Sequence, residues 1–390
     1  MMNVSKVKMW GVLSGLLISA VVITTDVAVG QDVSGNTGEW EIEGRATSNI
    51  YLLEAAAAIN TLQSWYTPVN GLYETTAWWN SANAVSGLAN FSKVSGSKIY
   101  FPVLQNTFTQ AQQVHNGFLN HFYDDEGWWA LAWIDVYDVT QDQQYLSMAQ
   151  SIFEDMAGGW DATVCGGGIW WNKDRQYKNA IANELFLSVA ARLGERVTDP
   201  ALKAHYVGWA RTEWQWFGHS GMINQYHLIN DGLNSVDPSH CVNNGQAIWS
   251  YNQGVVLGGL VALSKVYIAD KTLLPTAKEI ADAALLHLTD RSGVLHEQGE
   301  SKGGPDGGGV QFKGIFVRNF TYLDETSPSP QYENFLIINA DSIWSNAQGN
   351  DYHFGQIWSG PYNGASAASQ SSALDALNSA AQVVNSRRLP

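Results

Sequence analysis

Ile248-Trp-Ser-Tyr-Asn-Gln-Gly-Val-Val-Leu-Gly-Gly-Leu-Val-Ala-Leu-Ser-Lys-Val-Tyr267 decides the fold. Read at 3.6 residues per turn, it is apolar or small on nearly every side, which predicts a helix enclosed by protein all round. Gly254, Gly258 and Gly259 would let neighbouring backbones approach it closely. The following segment, 273 to 290, carries Lys278, Glu279, Asp282 and His287 and reads instead as a one-faced outer helix. Working outward, apolar spacing of three and four predicts helices over 46 to 66, 76 to 94, 98 to 120, 127 to 140, 142 to 160, 178 to 194, 200 to 218, 246 to 267, 273 to 290, 312 to 325, 331 to 347 and 366 to 385. Gly and Pro clusters fall between them, and almost nothing alternates with period two. In each consecutive pair the second member is the more uniformly apolar. The expectation is an all-α chain: an (α/α)6 toroid of six inner and six outer helices, with a cleft where loops meet the starts of the inner ones.

Composition narrows the partners. A net charge of -15, from 21 Lys and Arg against 36 Asp and Glu, argues against nucleic acid or an anionic membrane surface. The 17 Trp, 16 Tyr and 13 Phe offer flat apolar faces joined to hydrogen-bonding edges, which suit sugar rings, although most of the Trp are expected to fill the core. Residues 1–30 carry Lys6 and Lys8, an apolar run from Met9 to Val22, and Ala28-Val29-Gly30 before Gln31, the pattern of a secretory signal peptide. The run falls short of the roughly 20 residues that span a bilayer, and the C-terminal residues lack the apolar tail of a lipid-anchor signal. The reading is therefore a secreted, extracellular monomer without a membrane anchor, with 31–390 as one catalytic domain. Cys165 and Cys241 would be free to pair in an oxidising compartment, though spacing in sequence gives no distance between the sulfurs. No CxxC or HExxH spacing supports a metal site.

The chemistry is concentrated in His121-Phe-Tyr-Asp-Asp-Glu-Gly-Trp-Trp-Ala130, where Asp124 and Asp125 precede the stretch read as a buried helix. Two adjacent carboxyls can reach the ~5 to 5.5 Å separation that retaining cleavage of a glycosidic bond requires. Aromatic surroundings and mutual repulsion would raise their pKa values toward those of a general acid. The competing reading is simpler: Asp is a favoured helix N-cap and complements the helix dipole. Other inner-helix starts bring amides, hydroxyls and indoles to the same rim: Trp78-Trp79-Asn80-Ser81-Ala82-Asn83, Lys178-Asn-Ala-Ile-Ala-Asn-Glu184, Trp249-Ser-Tyr-Asn-Gln-Gly254 and Gln311-Phe-Lys-Gly314. Gly166-Gly167-Gly168 and the 303–309 segment lack the phosphate-loop pattern and read as tight loops. The sequons at Asn90 and Asn319 fall in predicted helices.

Tyr123-Asp-Asp-Glu-Gly-Trp-Trp129, Cys165-Gly-Gly-Gly-Ile-Trp-Trp171, Lys178 to Glu184, Leu228-Ile-Asn-Asp-Gly-Leu233, Tyr251-Asn-Gln-Gly254 and Phe312-Lys-Gly-Ile315 together resemble glycoside hydrolase family 76 over nearly the whole chain after residue 30. The resemblance implies an (α/α)6 fold, no cofactor, and retaining attack on the α-1,6-linked backbone of α-mannan. It also implies Asp124 as nucleophile and Asp125 as acid/base, with Glu126 a dipole partner. Trp79, Asn83, Trp128, Trp171, Asn183, Tyr251, Asn252 and Lys313 are the expected sugar contacts, with Asp231 and Asp306 in reserve. Transglycosylation through the same carboxylates is the rival within enzymes, and a non-catalytic mannan-binding protein the rival outside them. Families that cleave anionic sugars on the same fold fit poorly with so few basic residues.

Overall fold

The computed structural model describes residues 30–31, 37–38, 49–300 and 309–387. The leader read over 1–30 therefore lies outside the described residues apart from Gly30, and Asp306 lies outside them too. Two units separate at Trp40. In the first, β1 (Gly30–Gln31) pairs antiparallel with β2 (Thr37–Gly38). The second, Glu41–Pro390, holds every helix among the described residues.

Twelve α-helices run through the described residues: α1 (Ile50–Gln63), α2 (Trp78–Ser95), α3 (Phe101–Gln110), α4 (Tyr123–Thr140), α5 (Gln143–Ala157), α6 (Ala180–Arg196), α7 (Pro200–Phe217), α8 (Ser250–Val266), α9 (Leu273–Leu288), α10 (Phe312–Thr326), α11 (Pro330–Asn346) and α12 (Ala367–Ser386). The even-numbered helices form a closed inner ring, each packed on the next from α2 through α4, α6, α8 and α10 to α12, which returns to α2. Outer helices back onto them, α5 on α4, α7 on α6, α9 on α8, and both α1 and α11 on α12. This is the (α/α)6 toroid. Burial follows the same division: α8 is buried almost throughout, whereas α7 buries only Tyr206, Ala210, Glu213 and Phe217.

Glycine sets the spacing of the ring. A Cβ on Gly254 would lie 2.5 Å from Phe316 Cα, one on Gly314 would lie 2.5 Å from Ser372 Cα, and one on Gly259 would crowd Leu187 at 2.9 Å. The inner helices thus meet backbone to backbone.

Three details depart from the sequence reading. Helix α4 begins at Tyr123, with Phe122 in extended conformation as its N-cap and no capping side chain, so Asp124 and Asp125 stand inside the first turn and neither is the cap. The single helix expected over 98 to 120 ends at Gln110 and continues as two 3-10 turns, Ala111–Gln113 and Asn116–Phe118, interrupted at Gly117 with φ 65°. Hairpins were not expected: β3 (Tyr66–Thr67) pairs with β4 (Leu72–Tyr73), and β5 (Leu233–Asp237) pairs with β6 (His240–Asn243). The second of these carries Cys241, which is disulfide-bonded to Cys165. No described helix is long and apolar enough to cross a membrane.

Replacing Gly254 with Ala sets two effects against each other. Helix propensity would gain about 1 kcal/mol, whereas forcing a methyl into a backbone contact costs about 1 to 3 kcal/mol. The clash is expected to win, lowering the midpoint of denaturant unfolding; an unchanged or raised midpoint would show that α8 and α10 separate freely.

Candidate active site

An isolated antiparallel bridge builds the site. Phe122 pairs with Asn172, the Tyr123 N–H donates to the Trp171 carbonyl at 3.0 Å, and the Lys173 N–H donates to the His121 carbonyl at 3.0 Å. This lays residues 171–173 along the start of α4, bringing the Trp171 indole N–H to Asp124 Oδ2 at 3.0 Å and the Lys173 ammonium to Glu126 Oε1 at 2.9 Å.

The segment before Trp171 is held just as firmly. Lys178, at the start of α6, donates to the carbonyls of Asp161, Val164 and Gly167 at 2.5 to 2.7 Å, and its ammonium lies 4.8 Å from the Trp170 ring centre. Trp216 donates its indole N–H to the Cys165 carbonyl at 2.8 Å. Its ring lies flush against Gly167 and Gly168, whose φ angles of 155° and 82° and lack of a side chain are both required there. The triple glycine is a seat for an indole. Cys165 is tied to the β5–β6 hairpin both by the disulfide and by its N–H donating to Pro238 O at 2.9 Å.

The two acids differ in their partners and share a predicament. Asp124 receives the Trp171 indole on Oδ2, while its Oδ1 is buried with no protein donor. Asp125 Oδ2 accepts from the Asn120 side-chain amide at 2.6 Å. Loss of water raises the pKa of both; for Asp124 the charge of Asp125 adds to this, and the indole and amide donors partly oppose it. Asp124 is raised the further of the two, and the pair titrates as a unit that retains a proton near neutrality. Glu126, wholly buried beneath them, accepts the Asn120 backbone N–H at 3.0 Å as well as Lys173; burial still pushes it to about 8.

Four rings close the toroid axis at this end. Trp79 stacks on Trp128 at 5.7 Å, Trp128 on Tyr251 at 6.2 Å, Tyr251 on Phe312 at 3.7 Å, and Phe312 returns to Trp79 at 6.3 Å. They come from the first turns of α2, α8 and α10 and the second turn of α4, and make an aromatic floor beside the acids. Asp231, in the loop before β5, accepts from Tyr177 Oη at 2.5 Å and from the Trp249 indole at 3.2 Å.

Of the expected sugar contacts, the structure brings Trp79, Trp128, Trp171 and Tyr251 to the acids. It ties three of the other four to protein groups elsewhere. Asn183 is fully buried and ties down the glycine loop, accepting from the Ile169 N–H at 2.7 Å and donating to the carbonyls of Ile169 and Asn179. Asn83 accepts from Arg318 inside the ring. Lys313 is buried, paired with Glu300, and donates to the Gln356 carbonyl at 2.8 Å. Asn252 is fully buried, with no hydrogen-bond partner on either amide atom. Polar residues at inner-helix starts that pair inside the protein have the same spacing along the chain as those beside the acids, so sequence does not distinguish them. The sequence reading overlooked Phe312 as part of the floor and Asn120 as the partner of Asp125; an Asn two residues before the N-cap, where Asx turns form, was the available signal for the latter.

The pattern matches known proteins. The model of glycosyl hydrolase family 76 matches residues 51–387. Mannan endo-1,6-alpha-mannosidase DCW1 of Saccharomyces cerevisiae is 28% identical over 291 residues, 68% of this chain and 60% of that protein. Mannan endo-1,6-alpha-mannosidase DFG5 of Candida albicans is 28% identical over 229 residues, 53% of this chain and 49% of that one. The chain thus spans about half to three-fifths of the length of these two curated relatives. Among solved structures, the GH76A alpha-1,6-mannanase from Salegentibacter sp. HEL1_6 superposes with a TM-score of 0.77 at 25% identity, covering 85% of this chain and 99% of that one. An inactive variant of that mannanase, with two consecutive aspartates changed to asparagine, forms a complex with alpha-1,6-mannotriose and gives the same TM-score at 24% identity, with the same coverage.

The raised acids set a pH dependence of stability. Both hold protons more tightly folded than unfolded, so the stability they contribute is full below the ordinary carboxylate value of 3.8 and is lost as pH rises toward about 8. A variant carrying Asp124→Asn with Asp125→Asn is expected to show a flatter decline and a higher Tm than wild type at pH 8. Parallel Tm curves for the two proteins between pH 5 and 8 would mean that the carboxyls are not desolvated.

Proposed function

The chain belongs to glycosyl hydrolase family 76, and from that membership we propose that it hydrolyses α-1,6-mannosidic linkages in the backbone of mannan with retention of configuration. The observation that carries the reading is the acid pair itself: adjacent carboxyls in the first turn of an inner helix, each held by a neutral donor, beside an aromatic floor. The relatives named as mannan endo-1,6-alpha-mannosidases support the substrate. Inactivation of the Salegentibacter mannanase by amides at two adjacent aspartates parallels Asp124 and Asp125.

In this mechanism an Asp124 carboxylate oxygen bonds to the anomeric carbon as the glycosidic C–O bond breaks, and the Asp125 proton passes to the departing oxygen. Water then attacks the resulting glycosyl ester, Asp125 takes its proton, and Asp124 leaves as carboxylate. Asp124 is the more strongly raised acid of the two, yet the nucleophile must be ionised. Positive charge developing at the bound anomeric carbon favours the carboxylate of the residue that faces it and supplies that ionisation. The scheme needs no cofactor. The aromatic floor offers apolar surface to a sugar face, and the leader read over residues 1–30 fits delivery to an extracellular polysaccharide.

Reducing-end release from unbranched α-1,6-mannan is the test. Asp125→Asn is expected to lower kcat on the order of 10²- to 10⁴-fold, and Asp124→Asn at least as much, with circular dichroism unchanged. Proton NMR should detect α-mannose first. If β-mannose appears first the enzyme inverts, and the roles pass to carboxyls set ~6.5 to 9.5 Å apart.

A further inference from the structure

We infer that Asn120 is a positioning residue that orients Asp125 and drives its proton outward, an inference that rests on Asp125 being the acid/base. Asn120 lies on the loop between the 3-10 turn Asn116–Phe118 and α4, and all its polar contacts converge on the catalytic turn. Its Oδ1 accepts the Phe122 N–H at 2.7 Å, its Nδ2 donates to Asp125 Oδ2 at 2.6 Å, and its backbone N–H donates to Glu126 Oε1 at 3.0 Å.

The first contact determines the meaning of the second. An amide can usually be turned over to exchange donor and acceptor. Here the oxygen is committed to a backbone N–H that has no alternative role, so the end facing Asp125 is the NH2. A donor in that position stabilises the carboxylate over the acid and cannot itself receive a proton. Asn120 therefore sharpens Asp125 as an acid and holds its other oxygen free for the leaving group.

Glu126 is the anchor. Fully buried, it accepts both the Asn120 backbone N–H and the Lys173 ammonium on Oε1, and Lys173 also pairs with Asp155 of α5 at 2.8 Å. Burial keeps a proton on Glu126 near neutrality despite Lys173, so this third carboxyl need not repel Asp125. The polar groups on the elements packed at this turn are Asp124 and Glu126 on the same helix, Asn120 and His121 from the preceding loop, Trp171, Lys173 and Asp174 from the bridged segment, Asp155 from α5, and Tyr251 from α8, of which Trp171 and Tyr251 act on Asp124 and Lys173 and Asp155 on Glu126. His121 and Asp174 are paired with each other at 3.0 Å, so Asn120 is the one group among them bonded to Asp125.

The experiment compares wild type with Asn120→Ala and the isosteric Asn120→Asp in kcat/KM against pH on unbranched α-1,6-mannan. The alkaline limb reports the protonated acid. Loss of a hydrogen bond to a charged group should move that limb upward by roughly one to two pH units, with kcat at pH 6 lowered about tenfold or more and KM little changed. A lower activity whose alkaline limb stays where wild type has it overturns the inference, because a merely structural residue would lower activity without moving that limb. Asn120→Asp, which keeps the shape and places a second acid against Asp125, should shift the limb at least as far and serves if Asn120→Ala does not fold. Carboxyl ¹³C NMR of Asp125 in the same proteins separates the two levels of the argument: wild type that releases no reducing ends refutes the hydrolase reading, while an unshifted Asp125 resonance titration in both variants refutes the role of Asn120 alone.

Discussion

Closure of the inner ring is the constraint on which everything else depends. Helices α2 and α12, at opposite ends of the described chain, pack together, so starts that are far apart in sequence share one rim. Contact at this range is costly in loop entropy and must be recovered by burial. The glycines at the α8–α10 and α10–α12 crossings let backbones meet, and six such crossings leave an axis narrow enough for four aromatic rings to close it. A wider ring would leave that floor open, and the acids would stand in water.

Closure explains why two carboxyls can be adjacent and still hold a proton. In solvent, neighbouring aspartates would ionise near their ordinary values. At the start of α4 their oxygens meet an indole, an amide and apolar rings, donors that carry no net charge. A guanidinium in either place, such as the one bonded to Asp135, would have fixed the carboxylate and removed a proton donor. The Lys173 ammonium is close by, but the bridge at 121–123 directs it to Glu126, one residue farther along the helix. A side chain one position along an α-helix points about 100° away, so the same bridge keeps the ammonium on Glu126, where burial still outweighs it, and off the two catalytic acids.

The helices were legible because burial writes itself into sequence as period. Ile248 to Tyr267 had to be apolar on every side, and it is α8, buried almost throughout. The start of α4 was misplaced because its first turn, Tyr123-Asp-Asp-Glu, has the polar character of a cap while the real cap, Phe122, has no capping side chain. Hairpin β5–β6 went unseen because Asn234 to His240 is exposed and polar, leaving no alternation for burial to impose. For the site, the acids were readable from their adjacency. Lys313 was misread for the opposite reason: its position at a helix start was visible, while its pairing with Glu300 across a glycine-rich segment depends on a tertiary approach that no local pattern encodes.

Helix α4 contains its own control. Asp135, three turns beyond Asp124 on the same inner helix, is also buried, and burial pushes it upward as well. There Arg192 donates to it at 2.6 Å and Arg318 lies near enough to add its charge, and together with the Ser86 hydroxyl they outweigh burial and hold Asp135 below the usual range. Arg318 in turn pairs with Asp375 on α12, so this layer locks helices together through ion pairs that would be strongly destabilising to break singly. Residue type, helix and burial are common to Asp124 and Asp135. Partner charge is what differs: guanidinium makes one a fixed strut in the middle of the ring, and neutral N–H donors leave the other a group whose proton can move.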